Sequence, residues 1–230
     1  MAKTYVISLG GSLIFPEGGI DVKFLKNFRN LILTRVKAGE KFFIVSGGGR
    51  ICRDYQKAAT KIVKITNDDQ DWLGIHSSRL NAHLLRTIFR DVAHPEIIKI
   101  PAFRMAAGEK VVIAGAWKPG WSTDYVATMI AQEYEVKTVI NLSNIDYVYN
   151  KDPRKFKNAK KYESISWKNF RKIVGNKWSP GLNAPFDPIA SAKGEQNGLE
   201  VVIMNGKNLK NLEGYFAGKK FEGTVISRNS

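Results

Sequence analysis

The stretch Val6-Ile7-Ser8-Leu9-Gly10-Gly11-Ser12 decides how this chain is read. An apolar run of strand type ends abruptly in two glycines and a hydroxyl residue. Without Cβ atoms, such a turn lets backbone N–H groups point outward together and approach an anion closely. Phe42-Phe43-Ile44-Val45-Ser46-Gly47-Gly48-Gly49 repeats the design. Two strand-to-glycine turns fit two phosphate sites facing one another, as phosphoryl transfer requires. A pair of tight structural turns fits the same residues equally well.

Outward from these turns, strands alternate with helices. Residues 5–9 and 41–45 read as buried strands. Between them Asp21 caps a helix whose apolar positions Phe24, Leu25, Phe28, Leu31, Ile32 and Val36 recur at three and four, and Gly39 ends it. A helix is expected over 50–61, and another from the acidic start Asn67-Asp68-Asp69-Gln70-Asp71 to Arg90. Short strands are expected at 96–100 and 110–114. A loop follows over 115–121, then a helix capped by Ser122-Thr123-Asp124 and running to about Tyr134. The spacing then predicts a strand at 138–142, a polar turn over 143–153 and a helix from Ser166 to Gly175. A loop over 176–185, a helix opened by Asp187-Pro188, and closing strands at 200–204 and 223–227 complete the chain. The βαβα alternation predicts a mainly parallel sheet with helices on both faces.

Bulk properties narrow the function classes. Hydrophobic residues at 43% of 230 describe a globular chain, not a disordered one. No apolar run reaches membrane-spanning length. Residues 1–5 enter a strand at once, which predicts no signal peptide and a cytoplasmic protein. A single cysteine, Cys52, excludes an internal disulfide and a cysteine-based zinc site. The net charge of +15 fits a solvated basic surface first, phosphate steering second and nucleic-acid binding third, because the lysines are scattered. Their densest group lies at 151–161.

The ordered motifs resemble the amino-acid kinase superfamily, and within it the archaeal-type uridylate kinases. The resemblance runs through Leu9-Gly10-Gly11-Ser12, Gly47-Gly48-Gly49 with Arg53, Asp71-Trp72-Leu73-Gly74-Ile75 and Arg79-Leu80-Asn81-Ala82. It continues through Pro119-Gly120-Trp121-Ser122-Thr123-Asp124, Asn144-Ile145-Asp146-Tyr147-Val148-Tyr149, Lys151-Asp152-Pro153, Asp187-Pro188 with Lys193, and Phe221-Glu222-Gly223-Thr224. It implies a three-layer α/β/α sandwich forming one domain over 1–230. The acceptor-binding half would extend to about 134 and the ATP-binding half from about 135.

The implied reaction moves the γ-phosphoryl of ATP, with Mg2+, to UMP. Such transfer rests on positioning and charge stabilisation. By resemblance, Gly10, Gly11 and Ser12 hold the transferring group, with Asp124, Asp187 and Lys193 as the other catalytic residues. Gly47, Gly48, Gly49, Arg53, Asp71 and Thr123 take the acceptor. Asn144, Asp146, Tyr149, Lys151 and Asp152 line the ATP pocket. No protein metal ligand is assigned, nucleic acid is not an expected partner, and a homo-oligomer, usually a hexamer, is implied. Each residue also has a plainer role: Asp71 and Asp124 as helix caps, Arg53 and Lys193 as surface cations, Tyr149 as core.

Three departures mark this chain. Many superfamily members carry a lysine two positions before the first glycine, where this chain has Ser8. In the acceptor loop Ala116 replaces a glycine, Trp121 replaces a histidine, and Trp117 adds a ring. Tyr147 replaces a glycine and is strained if that position needs positive φ. The base identity is therefore open. Other readings are a kinase for another nucleotide or for isopentenyl phosphate, and a nucleotide- or oxyanion-binding protein without transfer. His76 and His83 match no acceptor-site motif of the isopentenyl phosphate enzymes.

Overall fold

The computed structural model describes residues 3–106, 108–177 and 184–228. In chain order the first half comprises β1 (Thr4–Leu9), α1 (Gly11–Ile14), α2 (Val22–Lys37), β2 (Lys41–Ser46), α3 (Gly49–Ile62), α4 (Asn67–Ile88), β3 (Val111–Ala114) and α5 (Thr123–Glu133). The second half comprises β4 (Thr138–Ser143), β5 (Val148–Tyr149), β6 (Lys161–Tyr162), β7 (Ser164–Ser166), α6 (Trp167–Val174), α7 (Pro188–Gln196), β8 (Glu200–Asn205), α8 (Leu209–Phe216) and β9 (Thr224–Ser227).

Seven strands form one sheet in the order β3-β2-β1-β4-β8-β9-β7, parallel except for the β8–β9 pair. Strand side chains alternate between two cores. Tyr5, Ile7 and Leu9 of β1 join α2, α4 and α8 on one face. Val6 joins α5, α6 and α7 on the other. This is the expected three-layer α/β/α sandwich. Chain order reverses direction across the sheet at β1 and β4, so the crevice at their carboxyl ends is where ligands of such sheets bind.

Local chemistry explains most boundaries. Asp21 accepts the Phe24 N–H at 2.8 Å to start α2, and Gly39 at φ +93° follows its end. Thr66 caps α4 through a capping box with Asp69, which leaves Asp71 free of that duty. Asp187 caps α7 ahead of Pro188. The expected loop at 176–185 lies largely outside the described residues.

One expected strand is absent. Residues 96–100 make only an isolated bridge, Ile98 to Ala114. Pro95 has no N–H to offer a ladder, and the His94 ring takes the Glu96 N–H at 3.1 Å. The sequence reading also missed α1, α8, the three-residue strand β7 and the β5–β6 hairpin. The hairpin strands are two residues long, too short for a period to show.

The two glycine turns touch. A Cβ on Gly11 would stand 2.1 Å from the Gly49 nitrogen and 2.5 Å from the Gly47 carbonyl carbon. One on Gly49, whose φ is +72°, would stand 2.4 Å from the Gly11 oxygen. Backbone cannot yield as a flexible side chain does. Gly11→Ala is therefore expected to lower unfolding free energy by about 3 kcal/mol or more. Gly214, inside α8 with nothing within 4 Å of its Cβ direction, should instead gain about 0.5–1 kcal/mol as alanine. Urea unfolding of both variants measures the opposite signs.

Candidate active site

The contact between glycine turns brings two sets of backbone donors to the carboxyl ends of β1 and β2. Gly10 N–H donates to Leu142 at 2.9 Å and Gly47 N–H to Leu9 at 3.0 Å, which fixes both turns to the sheet. Among the described residues, the N–H groups of Gly11, Ser12, Gly48 and Gly49 have no such partner. Four clustered donors with no protein acceptor are what an anionic group recognises.

Beside them lies a carboxylate cluster. Asp124, in the first turn of α5, accepts the Ser8 hydroxyl at 2.9 Å and the Asn141 amide at 3.2 Å on Oδ1. Its Oδ2 accepts the Asp187 N–H at 3.1 Å. Capping of α5 falls to Ser122, whose hydroxyl accepts the Tyr125 N–H at 3.1 Å. Asp124 therefore serves the cluster instead of its own helix. Its side chain reaches the crevice surface yet is surrounded by protein, and this burial, with the Asp187 charge nearby, pushes its carboxyl up to about 7. Asp187 is itself buried and raised by the same cause, although it accepts the Ala190 N–H at 2.6 Å as cap of α7.

Helix α4 braces the second glycine turn and the 115–121 loop. The Asn81 amide donates to the carbonyls of Gly47 at 2.8 Å and Gly48 at 3.1 Å. The Ser78 hydroxyl donates to Ser46 at 2.7 Å and accepts the Ala116 N–H at 2.8 Å. Arg79 donates to the carbonyls of Ala116 at 3.1 Å and Trp117 at 2.7 Å. Asp71 accepts the Gly120 N–H at 2.7 Å, and burial raises its carboxyl. The expected acceptor role of Asp71 is thus joined by an observed role in holding the loop. Ser78, Arg79 and Asn81 were not among the expected site residues. Arg79 and Asn81 lie in a quoted motif, but a polar residue inside a helix gives no sign of which loop it will hold.

That loop carries an aromatic stack. Trp121 lies 4.0 Å from Tyr125 and 6.1 Å from Trp117, ring centre to ring centre, and Lys118 sits 4.3 Å over Trp117. Thr123 follows at the start of α5, with its side chain half-buried. Arg53 projects from α3, exposed and without a hydrogen bond or ion pair among the described residues.

The second half contributes from the ends of β4 and β8. Asn144 is exposed just past β4. Asp146 accepts the Asn205 amide at 2.9 Å, which ties the turn after β4 to the end of β8. Tyr149 lies in β5, next to Val148, whose N–H donates to the Thr224 hydroxyl at 2.8 Å. Lys151 stands 5.0 Å over the Phe156 ring. The Asp152 carboxylate is occupied by Arg154, which donates from its backbone N–H at 2.9 Å and its guanidinium at 3.1 Å and holds the carboxyl below its usual range. The Lys193 side chain, in the second turn of α7, makes no hydrogen bond or ion pair among the described residues. Tyr147 is not at positive φ, so the expected strain is absent. Its ring lies under Lys161 at 4.2 Å.

A cavity of about 540 Å³ lies at the opposite edge of the sheet, lined by Lys3, Tyr5, Tyr134, Lys137 and Tyr215 among others. It meets the amino ends of β1 and β4, away from the glycine turns and the carboxylates.

The amino acid kinase family profile matches residues 3–205. A uridylate kinase of Methanospirillum hungatei is 33% identical over 98% of this chain and 95% of its own length. One of Pyrococcus abyssi is 32% identical over 96% and 98%. The crystal structure of uridylate kinase from Archaeoglobus fulgidus superposes with a TM-score of 0.81 at 29% identity, covering 98% of this chain and all of that one. A UMP kinase of Bacillus anthracis, 21% identical with a TM-score of 0.78 over 99% and 97%, shares the fold. Strand order, touching glycine turns and these likenesses agree: the chain belongs to the amino acid kinase family.

Proposed function

We propose that this protein is a uridylate kinase that transfers the γ-phosphoryl group of Mg-ATP to UMP, giving UDP and ADP. The observation that carries the reading is the meeting of four unpartnered N–H groups with the Asp124 cluster at one sheet edge. Phosphoryl transfer needs such prearranged donors more than it needs a nucleophilic side chain, because charge spreads over the equatorial oxygens in flight. The near-full-length likeness to archaeal uridylate kinases supplies the acceptor.

In this reading Gly10, Gly11 and Ser12 cradle the group in transit. Gly47, Gly48, Gly49 and Arg53 hold the acceptor phosphate, the guanidinium offering a forked donor. Asp71 and Thr123 complete the acceptor side, within a half that ends near residue 134. Asn144, Asp146, Tyr149, Lys151 and Asp152 border ATP in the other half. Mg2+ enters as part of Mg-ATP and neutralises phosphate charge. Asp124 and Asp187 orient donors, and Lys193 is the cation assigned to the phosphates.

The Trp117–Trp121–Tyr125 stack favours a second reading of the acceptor: the same transfer to another monophosphate with a base or apolar group that packs on aromatic rings. We also infer a homo-oligomer, a hexamer by resemblance. Helix α3 buries none of its residues, and Tyr55, Ile62, Trp72 and Leu80 are exposed on α3 and α4. Among the described residues no helix is long and apolar enough to cross a membrane, and we infer a cytoplasmic setting by resemblance.

ADP release from Mg-ATP with a panel of monophosphates tests the reaction. UMP should turn over best, and retained ATP binding with no turnover on any acceptor would remove every enzyme reading. Asp124→Asn should lower kcat by about 10²–10³-fold while the far-UV spectrum and cooperative unfolding persist. Arg79→Ala frees two loop carbonyls and should raise the acceptor KM about tenfold, with a smaller change in kcat. Steady-state kinetics at varied UMP separates these two effects.

A further inference from the structure

Ser8 of β1 and Asn141 of β4 are register partners on adjacent parallel strands. Both side chains lie on the sheet face that α5 covers, and both aim at the same atom, Asp124 Oδ1, at 2.9 and 3.2 Å. Ser8 is 4% exposed and Asn141 5%, so water does not compete for these bonds. From α7 the Asp187 N–H holds Oδ2 at 3.1 Å.

The charges around Asp124 are one-sided. Strand β1 offers a neutral hydroxyl and β4 a neutral amide. Helix α7 offers an N–H and the Asp187 carboxyl. The N-cap of α5, Ser122, is neutral and favours the ionised form of Asp187. No cation among the described residues contributes to the Asp124 environment, and the one charged neighbour, Asp187, repels it. Lys193 and Arg53 form no ion pair among the described residues.

The three donors differ in one respect. The Asp187 N–H can only donate, and Asn141 can accept only by turning a buried amide over. The Ser8 hydroxyl donates to an ionised carboxylate and, by rotating, accepts from a protonated one. We propose that Ser8 is a positioning residue of the phosphoryl-transfer site, whose hydroxyl keeps Asp124 in one place in both protonation states. A lysine at this position, having no acceptor, could hold only the ionised form. Because burial and Asp187 push Asp124 up to about 7, both forms are populated at neutral pH. The proposal rests on the kinase reading above, so its test includes a measurement that needs no substrate.

The experiment pairs kcat–pH profiles, with Mg-ATP and UMP, with a carboxyl-carbon NMR titration of Asp124 in the substrate-free full chain. Wild-type kcat should fall on the acid side of about pH 7 as Asp124 gains its proton. Ser8→Ala removes a hydroxyl whose bond to the ionised carboxylate, being charge-assisted, is stronger than its bond to the protonated one. It should move both the acid limb and the NMR titration to higher pH, and lower kcat about tenfold at neutral pH with little change in either KM. Ser8→Thr, which keeps the hydroxyl, should return both curves toward wild type. Ser8→Lys should move the acid limb down by about one pH unit or more, since a close cation favours the carboxylate. Superimposable wild-type and Ser8→Ala titrations overturn the proposal, as does a threonine variant that behaves like alanine. A Ser8-dependent titration without turnover on any acceptor supports the pairing and overturns the kinase reading instead.

Discussion

The close approach of Gly11 to Gly47 and Gly49 is the constraint on which the rest of the site depends. Parallel strands β1 and β2 are neighbours, so their following turns must pass each other at the same sheet edge. Any side chain at Gly11 would drive them apart, because the atoms it meets are backbone. With glycine there, the turns lock together and their unpartnered N–H groups come to lie within one crevice. The tight structural turn and the anion cradle are thus one device: the packing requirement creates the donor cluster.

Electrostatics at this edge is arranged without a lysine on β1. Asp187, buried, and Asp124, partly exposed, are two carboxyls held mainly by neutral donors, and two amino ends of helices, α5 and α7, converge on them. Helix amino ends favour negative charge, but desolvation outweighs that help, and both carboxyls rise. On the proposed reading, cations that balance phosphate charge would come from side chains that form no ion pair among the described residues, such as Arg53 and Lys193, and from the Mg-ATP substrate. The +15 net charge of the chain adds a diffuse attraction for polyanions at long range.

Helix α4 ties the glycine turn and the 115–121 loop to the core. One helical face reaches the second glycine turn through Asn81 and the 115–121 loop through Asp71, Ser78 and Arg79. These bonds satisfy loop carbonyls and N–H groups that burial would otherwise leave unpaired. They also fix the Trp117–Trp121–Tyr125 stack against the core, so a rigid element, not the loop itself, sets the loop's shape.

Sequence alone determined the alternation of strands and helices, the helix caps at Asp21 and Asp187, and the two glycine turns, because each is written in local periodicity and turn chemistry. It also placed Asp124 among the residues of interest. It overread 96–100 as a strand, where Pro95 removes a ladder donor, and it missed the short β5–β6 hairpin. Only tertiary structure decided that the glycine turns touch, that Asp69 with Thr66 and not Asp71 caps α4, and that Ser8 meets Asp124 across 116 positions of chain. The physical reason is range. Caps and periods are set by neighbours within a few residues, whereas strand register, which sets Ser8 beside Asn141 under Asp124, is fixed by packing between segments far apart in sequence.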